Sequence, residues 1–413
     1  MYLAIYITSE AIKFGVFNLK KKVDKGRYEP DYRNQYTLEK DLKVQVQDTL
    51  RKFLTAYAGS FESSDTDQPE DDKTLLDNQI QCTVIAGGGK PKDDTLTITH
   101  VGSTIEIKKK DISATLTDKG HQGDVYLLND FQSLAYGILF VDENGFPTSD
   151  FQPVSGSYTD LGQIKDDRIN RIPDYKEDRK LDLKKSLVIG PDAGLGIAAV
   201  PYGVEWEGLP YVEASEGGHC TFSPEWVDAV NLVQYIQKIQ SNEDFLSHRG
   251  IQEIYNYFLY LEENAPNFER NYKDIISMAF SGNNNPAVNT VRFICEGMGA
   301  LCGNMSNIFK CNDSIFLWSE TLTEIKLSFL SHHFNKRFSA RPKHGEDIAK
   351  IPVFLITNRD FPLYGCIYYG QSQTKKKDSS KTTETQDDQQ NTTNTVSSPE
   401  TGQSEGQTNQ GST

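Results

Sequence analysis

Two stretches, "YLAIYITSEAIKFGVFNL" (2–19) and "SLVIGPDAGLGIAAV" (186–200), limit what this chain can fold into more than any other feature. Each is a pair of β-type runs joined by a short turn, which is the pattern of an antiparallel hairpin. Gly190 and Gly194 flank the second turn and are expected to take the positive φ that a tight turn needs. Apolar residues at helical spacing mark "KVQVQDTLRKFLTAY", "WVDAVNLVQYIQKIQ", "IQEIYNYFLYLEE" and "AVNTVRFICEGMGALCGNMSNIF" as helices. "IQCTVIAG", "DSIFLW" and "IPVFLIT" read as further strands. Strand sets alternating with helices predict an α/β protein of two domains. A length of 413 residues gives room for both, since a single core seldom grows past about 250–300 residues.

The charge balance removes one class of partner. The net charge is −15, whereas binding a nucleic-acid backbone needs a basic face. The runs "KKKVDK" and "IKKKD" are short and flanked by acids, as solvated loops are. Six cysteines occur without a CxxC pair, so neither a zinc site nor a disulfide framework is expected. Cys295, Cys302 and Cys311 read as small core residues of a reducing compartment. No signal peptide and no membrane-spanning run is found, and the expected location is cytoplasmic.

Three segments interrupt the pattern. Residues 59–78 and 155–185 lack a period of 2 or 3.6 and are expected to be loop insertions. From residue 371 the chain has Val396 as its only aliphatic residue and no aromatics. Such a composition buries too little surface to offset chain entropy, so 371–413 is expected to be a disordered low-complexity tail.

The chemistry is carried by "DVYLLNDFQSLAYGI", where a strand ends on Asn129-Asp130 and a helix begins at once. One reading makes Asp130 the helix cap. The other places it in a ligand cleft, because ligands bind at strand ends in open α/β sheets. In "EASEGGHCTF", Glu216 and His219 flank Gly217-Gly218, a turn that glycine makes most easily. Adjacent donors and acceptors there suit a polyhydroxylated ligand; an exposed polar hairpin is the plainer alternative. "AGGGKPKDD" is not a Walker loop, since Lys90 is followed by Pro91 and not by Ser or Thr opening a helix.

Together these motifs resemble the bacterial-type glucokinase family. "DVYLLNDFQSLAYGI" is similar to its strand ending in the catalytic Asn-Asp. "SLVIGPDAGLGIAAV" is similar to its second phosphate hairpin, and "LPYVEASEGGHCTF" to its sugar-binding Glu-Gly-Gly-His segment. "SNEDFLSHRGIQEIYNYF" resembles the region holding that family's second sugar-binding glutamate, here Glu243. The resemblance spans about residues 1–370 without the insertions. It implies a two-lobed actin-like (ribonuclease H-like) α/β fold with lobes 1–138 plus 357–370 and 139–356. It also implies glucose or a similar hexose in the cleft and Mg-ATP donating its γ-phosphoryl to the 6-hydroxyl, the reaction that opens glycolysis. Asp130 would be the base, and Asn129, Glu216, His219 and Glu243 would hold the sugar hydroxyls. Positioning and charge neutralisation would do most of the catalytic work.

The nucleotide motifs depart from that family. Its first hairpin carries Asp-x-Gly-Gly-Thr, and the matching residues here are Tyr6, Thr8, Ser9 and Glu10. The second carries Gly-Thr-Gly, here Asp192-Ala193-Gly194 after Gly190. The third carries Gly-Gly, within what is here Trp318-Ser319-Glu320-Thr321. Glu10, Asp192 and Glu320 would then crowd a site built for a polyanion. Two like charges about 5 Å apart cost about 3 kcal/mol at an effective dielectric of about 20, enough to weaken ATP about a hundredfold. The family's sugar-loop tryptophan is also absent from "ITHVGSTIEIK". The sequence therefore supports a hexose kinase with Mg-ATP. The loss of all three nucleotide motifs favours the alternative, an inactive hexose-binding relative without cofactor, acting as a sensor, a homodimer or a subunit of an assembly.

Overall fold

The structure is a computed structural model and describes residues 1–8, 10–19, 30–37, 45–62, 79–100, 103–144, 150–155, 185–201, 204–206, 209–263, 269–282, 284–311 and 313–393. The first part of the chain forms β1 (Tyr2–Ile7), β2 (Ala11–Phe17), β3 (Tyr32–Thr37), α1 (Gln45–Glu62), β4 (Cys82–Gly87), β5 (Pro91–Lys92), β6 (Thr95–His100), β7 (Ser103–Lys108), α2 (Lys109–Asp118), β8 (Asp124–Asn129) and α3 (Asp130–Asn144). The next part forms β9 (Phe151–Ser155), β10 (Lys185–Pro191), β11 (Leu195–Pro201), β12 (Glu205–Trp206), β13 (Leu209–Pro210) and β14 (Glu213–Ser215). Helices α4 (Val227–Tyr235), α5 (Asn242–Leu246), α6 (His248–Glu263), α7 (Tyr272–Ser281) and α8 (Asn285–Phe309) follow. Then come β15 (Ser314–Trp318), α9 (Glu320–Thr323), α10 (Leu327–Phe338), α11 (Gly345–Ile348), β16 (Val353–Ile356) and α12 (Phe361–Thr393).

Two sheets are built on one plan. The first has the order β3-β2-β1-β4-β8, with β1 antiparallel to β2 and parallel to β4. The second has the order β14-β11-β10-β15-β16-β9, with β10 antiparallel to β11 and parallel to β15. Each sheet therefore begins with a hairpin and grows by parallel strands on the hairpin's first member. That repeated plan is the two-lobed actin-like arrangement. Both hairpins expected from the sequence are present.

A core unites the sheets. Ala4, Tyr6, Val84 and Ala86 of the first and Val188, Ala198, Phe316 and Phe354 of the second bury against α3 and the start of α12. The helices cross very closely. A Cβ on Gly365 would stand 1.5 Å from the carbonyl oxygen of Ser133, and one on Gly137 would stand 2.8 Å from Phe361. Two further cores lie on the outer faces. The one beyond the second sheet is built on α8, whose N-cap Asn284 accepts from the Ala287 amide just ahead of Pro286.

Several expectations are corrected. Gly190 and Gly194 do not have positive φ; among the described glycines only Gly120 does. Their lack of a side chain matters for room instead, since a Cβ on Gly190 would meet the Trp318 carbonyl oxygen at 1.7 Å. Helix α1 continues through Glu62, so the segment from 59 begins as helix; 63–78 and 156–184 lie outside the described residues. The "WVDAVNLVQYIQKIQ" helix stops at Tyr235, and Ile236 and Ile239 bury beyond its end. The chain divides into compact units Met1–Ser372 and Gln373–Thr413, close to where the low-complexity composition begins. Helix α12 nevertheless runs on through Thr393, for no Gly or Pro interrupts residues 371–393, and 394–413 lie outside the described residues. Cys295, Cys302 and Cys311 are buried as expected. Among the described residues no helix is long and apolar enough to cross a membrane.

Replacing Gly365 with Ala forces the helices apart. Overpacking of this kind is expected to lower the unfolding free energy by about 1–3 kcal/mol in urea titration, and an unchanged midpoint would refute the close crossing.

Candidate functional site

The strand-to-helix junction at β8 and α3 separates two roles that the sequence leaves merged. Asn129 does most of the capping. Its Oδ1 accepts the amides of Phe131 (2.9 Å) and Gln132 (3.3 Å), and its Nδ2 donates to the Gly89 carbonyl at 3.2 Å. Asp130 shares only the Phe131 amide, through Oδ1 at 2.9 Å. Its Oδ2 faces the glycine turn, 3.4 Å from where a Cβ on Gly88 would be. Burial pushes the Asp130 carboxyl up from its ordinary 3.8 to about 6; backbone amides oppose the rise and the Asp192 charge adds to it.

Asp192 follows β10 in the second hairpin, with Ala193 exposed beside it. Its carboxylate is fully engaged by the start of α9. Oδ1 accepts from Ser319 Oγ (3.1 Å), Thr321 N (3.2 Å) and Thr321 Oγ1 (3.1 Å), and Oδ2 from Glu320 N (3.4 Å). His248 Nε2 lies 2.9 Å from Thr321 Oγ1 and 3.8 Å from Asp192, with its ring stacked on Tyr272. Across the cleft, Tyr6 meets Trp318 edge to face at 5.8 Å. Burial, followed by the charges of Asp130, Asp192 and Glu320, raises the Tyr6 phenol well above its ordinary value. These four side chains thus mark one region between the two sheets.

The third group gathers on the other side of the same turn. Glu243, in the first turn of α5, accepts the Leu195 amide through Oε2 at 2.9 Å. A Cβ on Gly194 would come within 2.7 Å of that oxygen, so the turn needs glycine there for room. His219 ends a 3-10 turn, Gly217–His219, with Nε2 3.7 Å from Glu243 and Nδ1 3.4 Å from Glu216. Gly218 is likewise held by close approach, to the Leu195 carbonyl, and not by φ. Contacts therefore run from the 192–195 turn through the Leu195 amide to Glu243, His219 and Glu216, and the Asp192 charge on that turn is felt at Asp130. A separate cavity of about 220 Å³, lined by residues including Phe17, Arg33, Asp150 and Asp360, contains none of these side chains.

At the first hairpin, Thr8 Oγ1 accepts the amides of Glu10 (3.1 Å) and Ala11 (2.9 Å); Ser9 lies outside the described residues. Glu10 pairs with Lys273 at 2.9 and 3.0 Å, and Glu320 with Lys13 at 3.7 Å. Glu10, Asp192 and Glu320 thus each have a partner inside the protein, which the sequence reading did not foresee. Lys273, His248 and Thr321 carried no sequence signal. Lys13 did, as the one charge within the apolar run "AIKFGVF".

The family model described as Glucokinase matches residues 45–373, well over half of the chain. The chain belongs to the glucokinase family. A glucokinase of Agrobacterium fabrum is 25% identical over 305 residues, covering 73% of this chain and 78% of that protein. One of Rhizobium etli (strain CIAT 652) is 23% identical over 304 residues, 73% and 78% of the two chains. Among solved structures, a glucokinase from an Antarctic psychrotroph matches with a TM-score of 0.65 at 16% identity, covering 90% of this chain and 98% of its own. A glucokinase from Balamuthia mandrillaris in complex with glucose gives 0.65 at 17% identity, covering 90% and 93%. Both share the fold of this family member.

The raised Asp130 value has a stability consequence with a definite sign. Its folded pKa lies above the unfolded one, so the associated stability is present below about pH 4 and is lost as pH rises through about 6. The ionised carboxylate then costs at most about 3 kcal/mol at neutral pH. Asp130→Asn is therefore expected to be more stable than wild type above pH 6, with the difference gone below pH 4. Urea unfolding across that range checks this, and equal pH profiles would contradict it.

Proposed function

We propose that this glucokinase-family chain binds glucose or a close hexose between lobes formed by residues 1–138 with 357–370 and by 139–356. Glu216, His219 and Glu243 take the sugar hydroxyls. Asn129 fixes the turn that presents Asp130 and offers its second Nδ2 hydrogen to the ligand. The observation that carries this reading is the gathering of Glu243, His219 and Glu216 on the 192–195 turn whose Asp192 charge reaches Asp130. A carboxylate on each side of an imidazole supplies the mix of acceptors and donors that vicinal hydroxyls need.

The nucleotide half fits poorly. Thr8, Ser9 and Glu10 stand at the first phosphate position, Gly190, Ala193 and Gly194 with Asp192 at the second, and Ser319 with Glu320 at the third. The carboxylates of Glu10, Asp192 and Glu320 already have protein partners there, and a polyanion would have to displace them. This favours hexose binding without turnover. One observation favours the alternative, transfer of a phosphoryl group from Mg-ATP to the sugar 6-hydroxyl: the raised pKa of the Asp130 carboxyl suits a base. With a pKa of about 6 it is mostly ionised at neutral pH yet basic enough to accept the hydroxyl proton.

Calorimetry with glucose should show binding that weakens in His219→Ala by about 0.5–1.5 kcal/mol for each hydrogen bond lost. An unchanged dissociation constant removes His219 from the site. A coupled assay for glucose 6-phosphate with Mg-ATP decides between the two readings. No turnover with binding retained supports the hexose-binding reading, whereas turnover abolished by Asp130→Ala establishes the kinase.

A further inference from the structure

We infer that ion pairs running from the first sheet to the second lobe form a latch that holds the lobes together in the absence of any nucleotide. The inference rests on the two-lobe division and not on hexose binding. Its anchor is Lys13. Every residue of β2 is buried, Lys13 among them at 5% exposure, and a buried ammonium group must find partners. All of its partners lie outside its own sheet. Nζ donates to the Arg359 carbonyl at 2.9 Å and lies 3.7 Å from Glu320 and 4.0 Å from Asp360. Arg33, on the adjacent strand β3, reaches the same Asp360 at 3.4 Å. At the hairpin tip, Glu10 meets Lys273 of α7 through both carboxylate oxygens, and the Thr8 hydroxyl shapes the turn that presents it.

The β1–β2–β3 unit is therefore tied to the second lobe at its tip, through Lys273, and at its middle, through Glu320; the flank tie from Arg33 to Asp360 stays within the first lobe. Two of the ties use Glu10 and Glu320, which occupy two of the family's nucleotide positions. Side chains at the places where a phosphate would have bridged the lobes bridge them directly. The outer pair is half-exposed and sensitive to salt; the inner pair, with its buried lysine, is much less so. Opening and closing of the cleft is thereby governed by ionic strength.

The test uses the full chain without ligand. Cys220 is exposed and the other five cysteines are buried, so one spin label is placed on Cys220 and another on Lys52→Cys of α1, and the separation is read by pulsed dipolar spectroscopy. Wild type should give mainly a short separation at low salt, with the longer-separation population rising by about two- to fivefold near about 1 M NaCl, where the screening length is ~3 Å. Glu10→Gln or Lys273→Gln should raise the open population by about two- to fivefold at low salt, the range for one exposed ion pair. The exchange Glu10→Lys with Lys273→Glu should restore the short separation. Lys13→Met should open the lobes independently of salt. Separations unaffected by salt, by Glu10→Gln and by Lys273→Gln would overturn the latch even if hexose binding is intact, and failure of the charge exchange to rescue would do the same.

Discussion

The two sheets meet through a pair of helices that cross backbone to backbone at Gly365 and Ser133, and the geometry of the cleft follows from that contact. Gly365 of α12 lies directly on the backbone of α3 at Ser133, three residues into the helix that Asp130 begins. The helix start cannot move without moving the crossing, so the carboxylate is placed by packing some distance away. Asn129 then fixes the last turn of freedom by bonding both the helix amides and the Gly89 carbonyl. The aspartate is left with little to satisfy it, and its elevated proton affinity is the electrostatic result of being held in that enclosed place.

The same region gathers three carboxylates and provides each with partners. Asp192 takes two amides and two hydroxyls at the start of α9, Glu320 takes Lys13, and Glu10 takes Lys273. None of these carboxylates faces another without a donor or a cation nearby. Repulsion among them, which charge counting alone would suggest, is relieved by partners contributed from β2, α7 and the start of α9. Tyr6, a neutral phenol at the centre, tolerates three negative neighbours by keeping its proton.

Much of this was legible in the sequence wherever periodicity and turn chemistry agree. The two hairpins, the strands at 82–87, 314–318 and 353–356, and the long helix at 285–309 all follow from runs of apolar residues with clear ends. The glycines misled, because a turn glycine can serve φ or room, and only the neighbours decide which. At Gly190 and Gly218 those neighbours are carbonyl groups distant in sequence. The division of labour between Asn129 and Asp130 was hidden for a similar reason, since both residues cap helices equally well in isolation. The grouping of Glu216, His219 and Glu243 rested on a family pattern; its physical basis, the Leu195 amide, carries no side-chain identity to read. Partners such as Lys273 were invisible because ion pairs far apart along the chain leave no local trace.

The mutual pairing of charges gives this cleft a history that is hard to reverse. Exchanging Glu320 for an uncharged residue would take one of two carboxylates from a buried lysine ammonium, and exchanging Asp192 would leave amides and hydroxyls at the head of α9 without their acceptor. Each of these single exchanges passes through a less stable state. Descent from a nucleotide-using ancestor would in that sense act as a ratchet, with compensated changes accumulating together and lost only together.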